Sequence, residues 1–182
     1  IEAKWIEAFR RVFELCRVTE GEAVAILSET QSRELNVRLT ELALQSLGAK
    51  AFHVVMPSPR QTAPVPVRST GASDALQGLE PAIAALSSSG MVVDLTVEGL
   101  LHAPELTAIL KGGARVLMIS NEHPEALERL VPDESLKTAV RVAVARCRKA
   151  NTMTVTSAAG SDLTVELKEC PAAGVWGWTD RP

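Results

Sequence analysis

Apolar residues recur along this chain in two rhythms that alternate for most of its length. Ile1, Trp5, Phe9, Val12, Phe13 and Cys16 stand four and three apart, which predicts an amphipathic helix over residues 1–17. Gly21 then opens an almost unbroken apolar run over 22–28, the pattern of a strand covered on both faces. The polar turn at 29–32 supplies a helix cap, and Leu35, Leu39, Leu42 and Leu47 give the following helix a buried face until Gly48 stops it. Residues 51–56 repeat the strand. From Pro57 to Ser73 the period disappears, because Pro57, Pro59, Pro64 and Pro66 interrupt it, and a loop of that length inside a compact domain is usually functional or disordered.

The alternation resumes with a helix over 75–86, in spite of Gly78 and Pro81, and a third strand starting at Met91. That strand runs into a loop ending on His102, and Ala103-Pro104-Glu105 has the chemistry of a helix start, with Pro at a first-turn position. A short helix over 104–111 closes at Gly112 and Gly113, and 115–119 is a fourth apolar strand. A short helix follows Pro124, and Pro132-Asp133-Glu134 caps a longer one with Leu136, Val140, Ala143, Val144 and Cys147 along one side. The period then changes to two: Met153, Val155 and Ser157 alternate, as do Leu163, Val165 and Leu167 after the turn at 158–161, which predicts a β-hairpin.

Strand-helix units followed by a hairpin define an α/β fold class: a Rossmann-like three-layer domain with a mostly parallel sheet of about four strands and right-handed crossovers, plus a C-terminal β-hairpin. The expected division is a Rossmann-like domain over 1–150 and, over 151–182, the hairpin with the segment that follows it. No G-x-G-x-x-G follows the first strand and no G-x-x-x-x-G-K-[ST] occurs, so neither dinucleotide nor P-loop binding is predicted.

Composition narrows the function classes. The 182 residues carry 19 Lys and Arg against 22 Asp and Glu, a slightly negative balance that argues against nucleic-acid binding. The apolar runs fall short of the roughly 20 residues that cross a bilayer, so no membrane partner is expected. The first residues lack both the basic and the continuous apolar regions of a signal peptide, and with Cys16, Cys147 and Cys170 too scattered for a disulfide framework, a reducing cytoplasm is the expected compartment. Cys16 and Cys147 occupy apolar helix positions, where free Cys acts as a small hydrophobe.

Candidate chemistry collects where strands hand over to helices, the edge at which open parallel sheets bind ligands. The polar residues predicted there are Ser28 with Glu29, Arg60, His102, and Asn121 with Glu122 and His123. His102 is the leading candidate, since an imidazole can take and return a proton near neutral pH; the alternative is a structural residue that ties down the helix start. Residues 56–60 form a candidate lid, with Arg60 as an anion anchor. His123 precedes Pro124 in an expected exposed turn. His53, His102 and His123 lie on different units without the spacing of a ligand pair, so no metal site is expected within these residues.

Taken together, these segments resemble the N-terminal domain of the 2,5-dihydroxypyridine 5,6-dioxygenases and of the wider M29 (aminopeptidase T-like) metallopeptidase group. The likeness is carried by Leu15-Cys16-Arg17-Val18, Ala49-Lys50, Val92-Val93-Asp94, Leu100-Leu101-His102-Ala103-Pro104-Glu105, Ile109-Leu110-Lys111-Gly112-Gly113, Pro124-Glu125 with Leu130 and Pro132, and Ala159-Gly160-Ser161-Asp162-Leu163. The last of these is similar to a turn found across the M29 group, whereas the run around His102 points to the dioxygenase branch. The segment between Asp94 and Leu100 and the loop from Pro57 to Gly71 depart from the pyridine enzymes.

The resemblance implies that the parent protein is a non-haem Fe(II), extradiol-type ring-cleaving dioxygenase acting on 2,5-dihydroxypyridine or a related hydroxylated aromatic, with O2 as co-substrate. It implies that His102 is the acid-base residue, that Leu101 gates substrate entry, and that the iron ligands are His and carboxylate residues outside this chain, in a further metal-binding domain to which the segment after the hairpin starts a linker. Ser28, Arg60 and Asn121 are expected substrate-binding residues, and assembly as a homo-oligomer is expected. The alternatives are an M29-type metal-dependent aminopeptidase and a non-catalytic substrate-binding or assembly domain; the 182 residues alone are expected to be inactive.

Overall fold

The computed structural model describes residues 1–60, 71–119 and 121–181. The chain runs α1 (Ala3–Leu15), β1 (Ala23–Glu29), α2 (Glu34–Ser46), β2 (Lys50–Met56), α3 (Glu80–Ser87), β3 (Met91–Asp94), α4 (Leu106–Lys111), β4 (Arg115–Met118), α5 (Pro124–Arg129), α6 (Ser135–Lys149), β5 (Thr152–Thr156) and β6 (Asp162–Glu166). Strands β1 to β4 form one parallel sheet in the order β2-β1-β3-β4, and β5 pairs antiparallel with β6 in a separate hairpin. This is the α/β architecture that the two rhythms predict.

The interior strands β1 and β3 are buried almost throughout, as expected of parallel strands covered on both faces, whereas the edge strand β2 is largely exposed. Ala25 and Leu27 of β1 and Val92 of β3 share one cluster with Ile83 and Leu86 of α3, Ile109 of α4, and Leu100 and Ala103 of the loop between. Val24, Ile26, Met91 and Val93 alternate to the opposite face; α2 packs on the sheet, and α1 packs against α2. Residues 100 and 103 thus belong to the core although they lie in a loop, and this anchors what stands between them.

Several sequence expectations shift. Residues 75–78 form turns and α3 begins only at Glu80, because Gly78 takes a left-handed φ of 70° and Pro81 occupies the first helical turn. Helix α2 buries Asn36, Leu39, Thr40, Ala43 and Leu44; Leu35, Leu42 and Leu47, expected on that face, are half-buried. Ser28 lies inside β1, opposite Val55, and not in a loop. Pro64 and Pro66 lie outside the described residues.

Contacts divide the chain into two compact units, Ile1–Val131 with Trp178–Pro182, and Pro132–Gly177. Helix α6 therefore groups with the hairpin, where the sequence pattern places it with the sheet. In this second unit Pro132 alone is buried. The apolar side of α6 meets its own following segment: a Cβ at Gly174 would collide with Val140 and Val144, and Lys137 Nζ lies 5.3 Å from the Trp176 ring. Cys147, expected in an apolar position, is exposed.

Candidate functional site

In the order β2-β1-β3-β4 the chain leaves β1 in one direction and β3 in the other, so the topological switch point, where open α/β sheets bind ligands, lies between the carboxyl ends of β1 and β3. The loops after all four strands meet there around the start of α2. Gln31 N donates to Ser58 Oγ (3.0 Å), Ser32 Oγ donates to Leu95 O (2.6 Å), Arg33 N donates to Asn121 Oδ1 (2.8 Å) and Asn36 Nδ2 donates to Glu122 O (3.0 Å). The predicted convergence of these loops is present, and it is built largely from backbone groups that each strand end would otherwise leave without partners.

The segment carrying His102 is the most constrained of them. Asp94, the last residue of β3, is fully buried; its Oδ1 accepts Thr96 N (3.0 Å) and Thr96 Oγ1 (2.6 Å), and its Oδ2 accepts Leu100 N (2.7 Å). The Thr96 hydroxyl in turn accepts Gly99 N (3.1 Å). Burial raises the Asp94 pKa and the nearby Glu29 charge adds to the rise, while the bonds from Thr96 and Leu100 oppose it. Leu100 follows with 0% exposure, and Ala103 N donates to Leu100 O (2.9 Å) to close a β-turn whose central residues are Leu101 and His102. Both ends of this turn are core residues, so its centre must point outward: Leu101 is 55% exposed and His102 is exposed.

A second strip of chain, 71–73, runs beside this turn. Gly71 N donates to Glu98 O (2.6 Å), Ser73 N donates to Gly99 O (2.8 Å), and His102 N donates to Gly71 O. Gly71 has φ of 75°, and a Cβ there would stand 3.0 Å from Leu101 Cβ and 3.1 Å from His102 Cδ2, so the turn packs against bare backbone. The strip is fastened below by Glu29, which is 4% exposed and whose Oε1 accepts Ser73 Oγ (2.9 Å) and Val97 N (3.3 Å). The result is an imidazole whose backbone is fixed at an exposed turn.

The predicted site residues fall in different places. Leu101 and His102 sit side by side at the turn. Ser28 is buried within β1, one residue before Glu29. Asn121 uses its side-chain oxygen to cap the start of α2, and Arg60 is exposed beyond β2, next to residues outside the described set. His123 is exposed and caps α5, its Nδ1 accepting Glu125 N (3.2 Å), with its ring edge-on to Trp5. His53 stands on β2 with Nε2 3.8 Å from Glu41 of α2. Burial pushes the Cys16 thiol up to about 11, which suits a core residue and not a nucleophile.

Sequence reasoning gave no role to Asp94, Thr96, Gly71 or Ser73, although Asp94 stands in one of the segments that carry the resemblance. One signal was available, since Asp-x-Thr after a strand is a turn-forming pattern in which the carboxylate bonds the backbone two residues on. Ser73 and Gly71 carry no such signal, as their partners lie 44 residues before them and about 30 after. Among the described residues no group of three or more His, Cys, Asp or Glu is placed to hold a metal ion, and Glu29 and Asp94 both accept bonds from the protein itself. These residues do not fit a metal site.

Comparison with known proteins adds to this geometry. The 2,5-dihydroxypyridine 5,6-dioxygenase family matches over residues 4–182. A 2,5-dihydroxypyridine 5,6-dioxygenase of Pseudomonas putida KT2440 is 35% identical over 182 residues, which is 99% of this chain and 51% of that protein. The solved structure of 2,5-dihydroxypyridine dioxygenase from Pseudomonas putida KT2440 is similar, with a TM-score of 0.84 and 34% identity over 98% of this chain and 51% of that one. The chain spans about half the length of the relatives it matches. No described helix is long and apolar enough to cross a membrane.

Proposed function

This chain belongs to the 2,5-dihydroxypyridine 5,6-dioxygenase family, and from that membership we propose that its parent protein opens a hydroxylated N-heteroaromatic ring, 2,5-dihydroxypyridine or a close relative, with O2. The chain supplies the domain that presents the acid-base group. The observation that carries this reading is the β-turn at Leu100–Ala103, which holds His102 outward after the carboxyl end of β3 while its ends are sunk in the core. In that role the imidazole takes a proton from a ring hydroxyl as the substrate is activated and returns it as the ring opens. Leu101, beside it and half in solvent, is the gate through which a flat aromatic passes. The reaction's non-haem Fe(II) is held, on this proposal, by residues outside this chain.

The test is an assay of the full-length protein. With 2,5-dihydroxypyridine, oxygen consumption matching substrate loss is expected. Release of an amino-acid chromogen from a peptide substrate without oxygen consumption would replace the dioxygenase reading with an aminopeptidase one.

A further inference from the structure

Resting on the reading of His102 as the acid-base group, we propose that Asp94 is a positioning residue for it, acting through Thr96 and the 100–103 turn. The chain between the end of β3 and Leu100 is irregular, and a stretch of that kind does not by itself hold a side chain to the few tenths of an ångström that proton transfer requires. Asp94 removes this freedom. Its carboxylate gathers Thr96 N, Thr96 Oγ1 and Leu100 N, and the Thr96 hydroxyl passes the constraint on to Gly99 N. The two amides immediately before the turn are thus fixed to one buried side chain, one directly and one through a hydroxyl.

From Leu100 the turn's own hydrogen bond to Ala103 N and the bond from His102 N to Gly71 O leave the imidazole little but rotation about its side-chain torsions. A carboxylate is costly to bury, and one surrounded by directional donors exchanges that cost for a defined backbone path. Glu29 does the same from the other side, through Ser73 and Val97, but these bonds hold the strip and the segment before the turn. Asp94 is bonded to the turn itself. It touches no reacting atom on this reading and acts only through the geometry of His102.

A double-mutant cycle in the full-length enzyme tests this, using Thr96→Val, which keeps the shape and removes the hydroxyl, Thr96→Ser, which restores it, and His102→Ala. All rates are taken under conditions where circular dichroism shows each variant folded. Thr96→Val should lower kcat by about 10-fold with KM nearly unchanged, a loss on the scale of a small misplacement. Thr96→Ser should recover most of it. His102→Ala alone should lower kcat by roughly 10² to 10⁴, and adding Thr96→Val to it should change kcat less than about twofold, since the effect travels through a group already gone.

Additive losses, or no recovery in Thr96→Ser, would overturn the positioning role while leaving His102 as the acid-base group. A near-normal kcat in the single His102→Ala variant would overturn the acid-base reading first, and this inference with it. If Thr96→Val does not fold, Asp94→Asn takes its place in the cycle, because the amide removes one of the acceptors; the same lack of additivity with His102→Ala is then expected, and additive losses would again overturn the positioning role.

Discussion

The two edges of the parallel sheet both draw charged side chains out of solvent, part-buried at one edge and buried at the other, and they hold them by different chemistry. At the amino edge Arg115, at the start of β4, pairs with Glu22 before β1, and its guanidinium also donates to Cys16 O and, at 3.3 Å, to Gly90 O; the two side chains are 11% and 15% exposed. A cation and an anion neutralise one another there, and the turns entering three strands are tied to a single planar group. At the carboxyl edge Glu29 and Asp94 accept instead from neutral N–H and O–H donors of the loops above them. An ion pair settles the charge of a buried region. A carboxylate gathering directional donors settles a backbone path, and in this chain the path leads to Leu101 and His102.

If the edges divide labour in this way, a lesion at one should be read in stability and a lesion at the other in rate. The largest expected effect is at the amino edge. Arg115→Met leaves Glu22 without its cation and should cost about 2 kcal/mol, between an exposed pair and a fully buried one, measured as a shift of the denaturant midpoint, with kcat at 25 °C unchanged. A parallel loss of kcat would show that the two edges are not separable.

A smaller effect is expected at the carboxyl edge from Gly71→Ala. The added methyl meets Leu101 and His102 at 3.0 and 3.1 Å on a left-handed backbone, so it should displace the turn and lower kcat by about tenfold while costing roughly 1 kcal/mol of stability. Unchanged kcat with lower stability would make the 71–73 strip a structural brace only.

The smallest signal is a slope. Because burial raises the Asp94 pKa above its unfolded value, the contribution of this group to stability is fully present below the unfolded pKa and is lost as pH rises through the folded one. Asp94→Asn lacks that slope, so the stability gap between wild type and variant should narrow as pH rises over this range, followed by chemical denaturation across pH. A gap that widens would mean that the donors from Thr96 and Leu100 outweigh burial.

Local pattern was enough to place the strands and most helices. The apolar run over 22–28 can be satisfied only by a strand covered on both faces, and the alternation of Met153 and Val155 with Leu163 and Val165 only by a hairpin, so β1 and the β5-β6 pair were legible before any contact was known. The strand-to-helix position of His102 was legible for the same reason. Burial was not. Helix α6 repeats its apolar residues as regularly as α1, yet α1 buries Ala8, Phe9, Phe13 and Leu15 whereas α6 buries nothing in this chain. Periodicity records which side of a helix is apolar; it does not record what stands opposite.

Of the site, the sequence by itself determined that a histidine ends the loop after the third strand and that helix-start residues follow it. Only the tertiary structure decided that Leu100 and Ala103 sink into the core and turn Leu101 and His102 outward, that Ser28 is walled into β1, and that Asn121 is occupied in capping α2. The reason is the range over which each force acts. Strand and helix periods arise between residues a few positions apart, whereas the bonds from Ser73 to Glu29 and from His102 to Gly71 join segments that are neighbours only after β1 and β3 have paired.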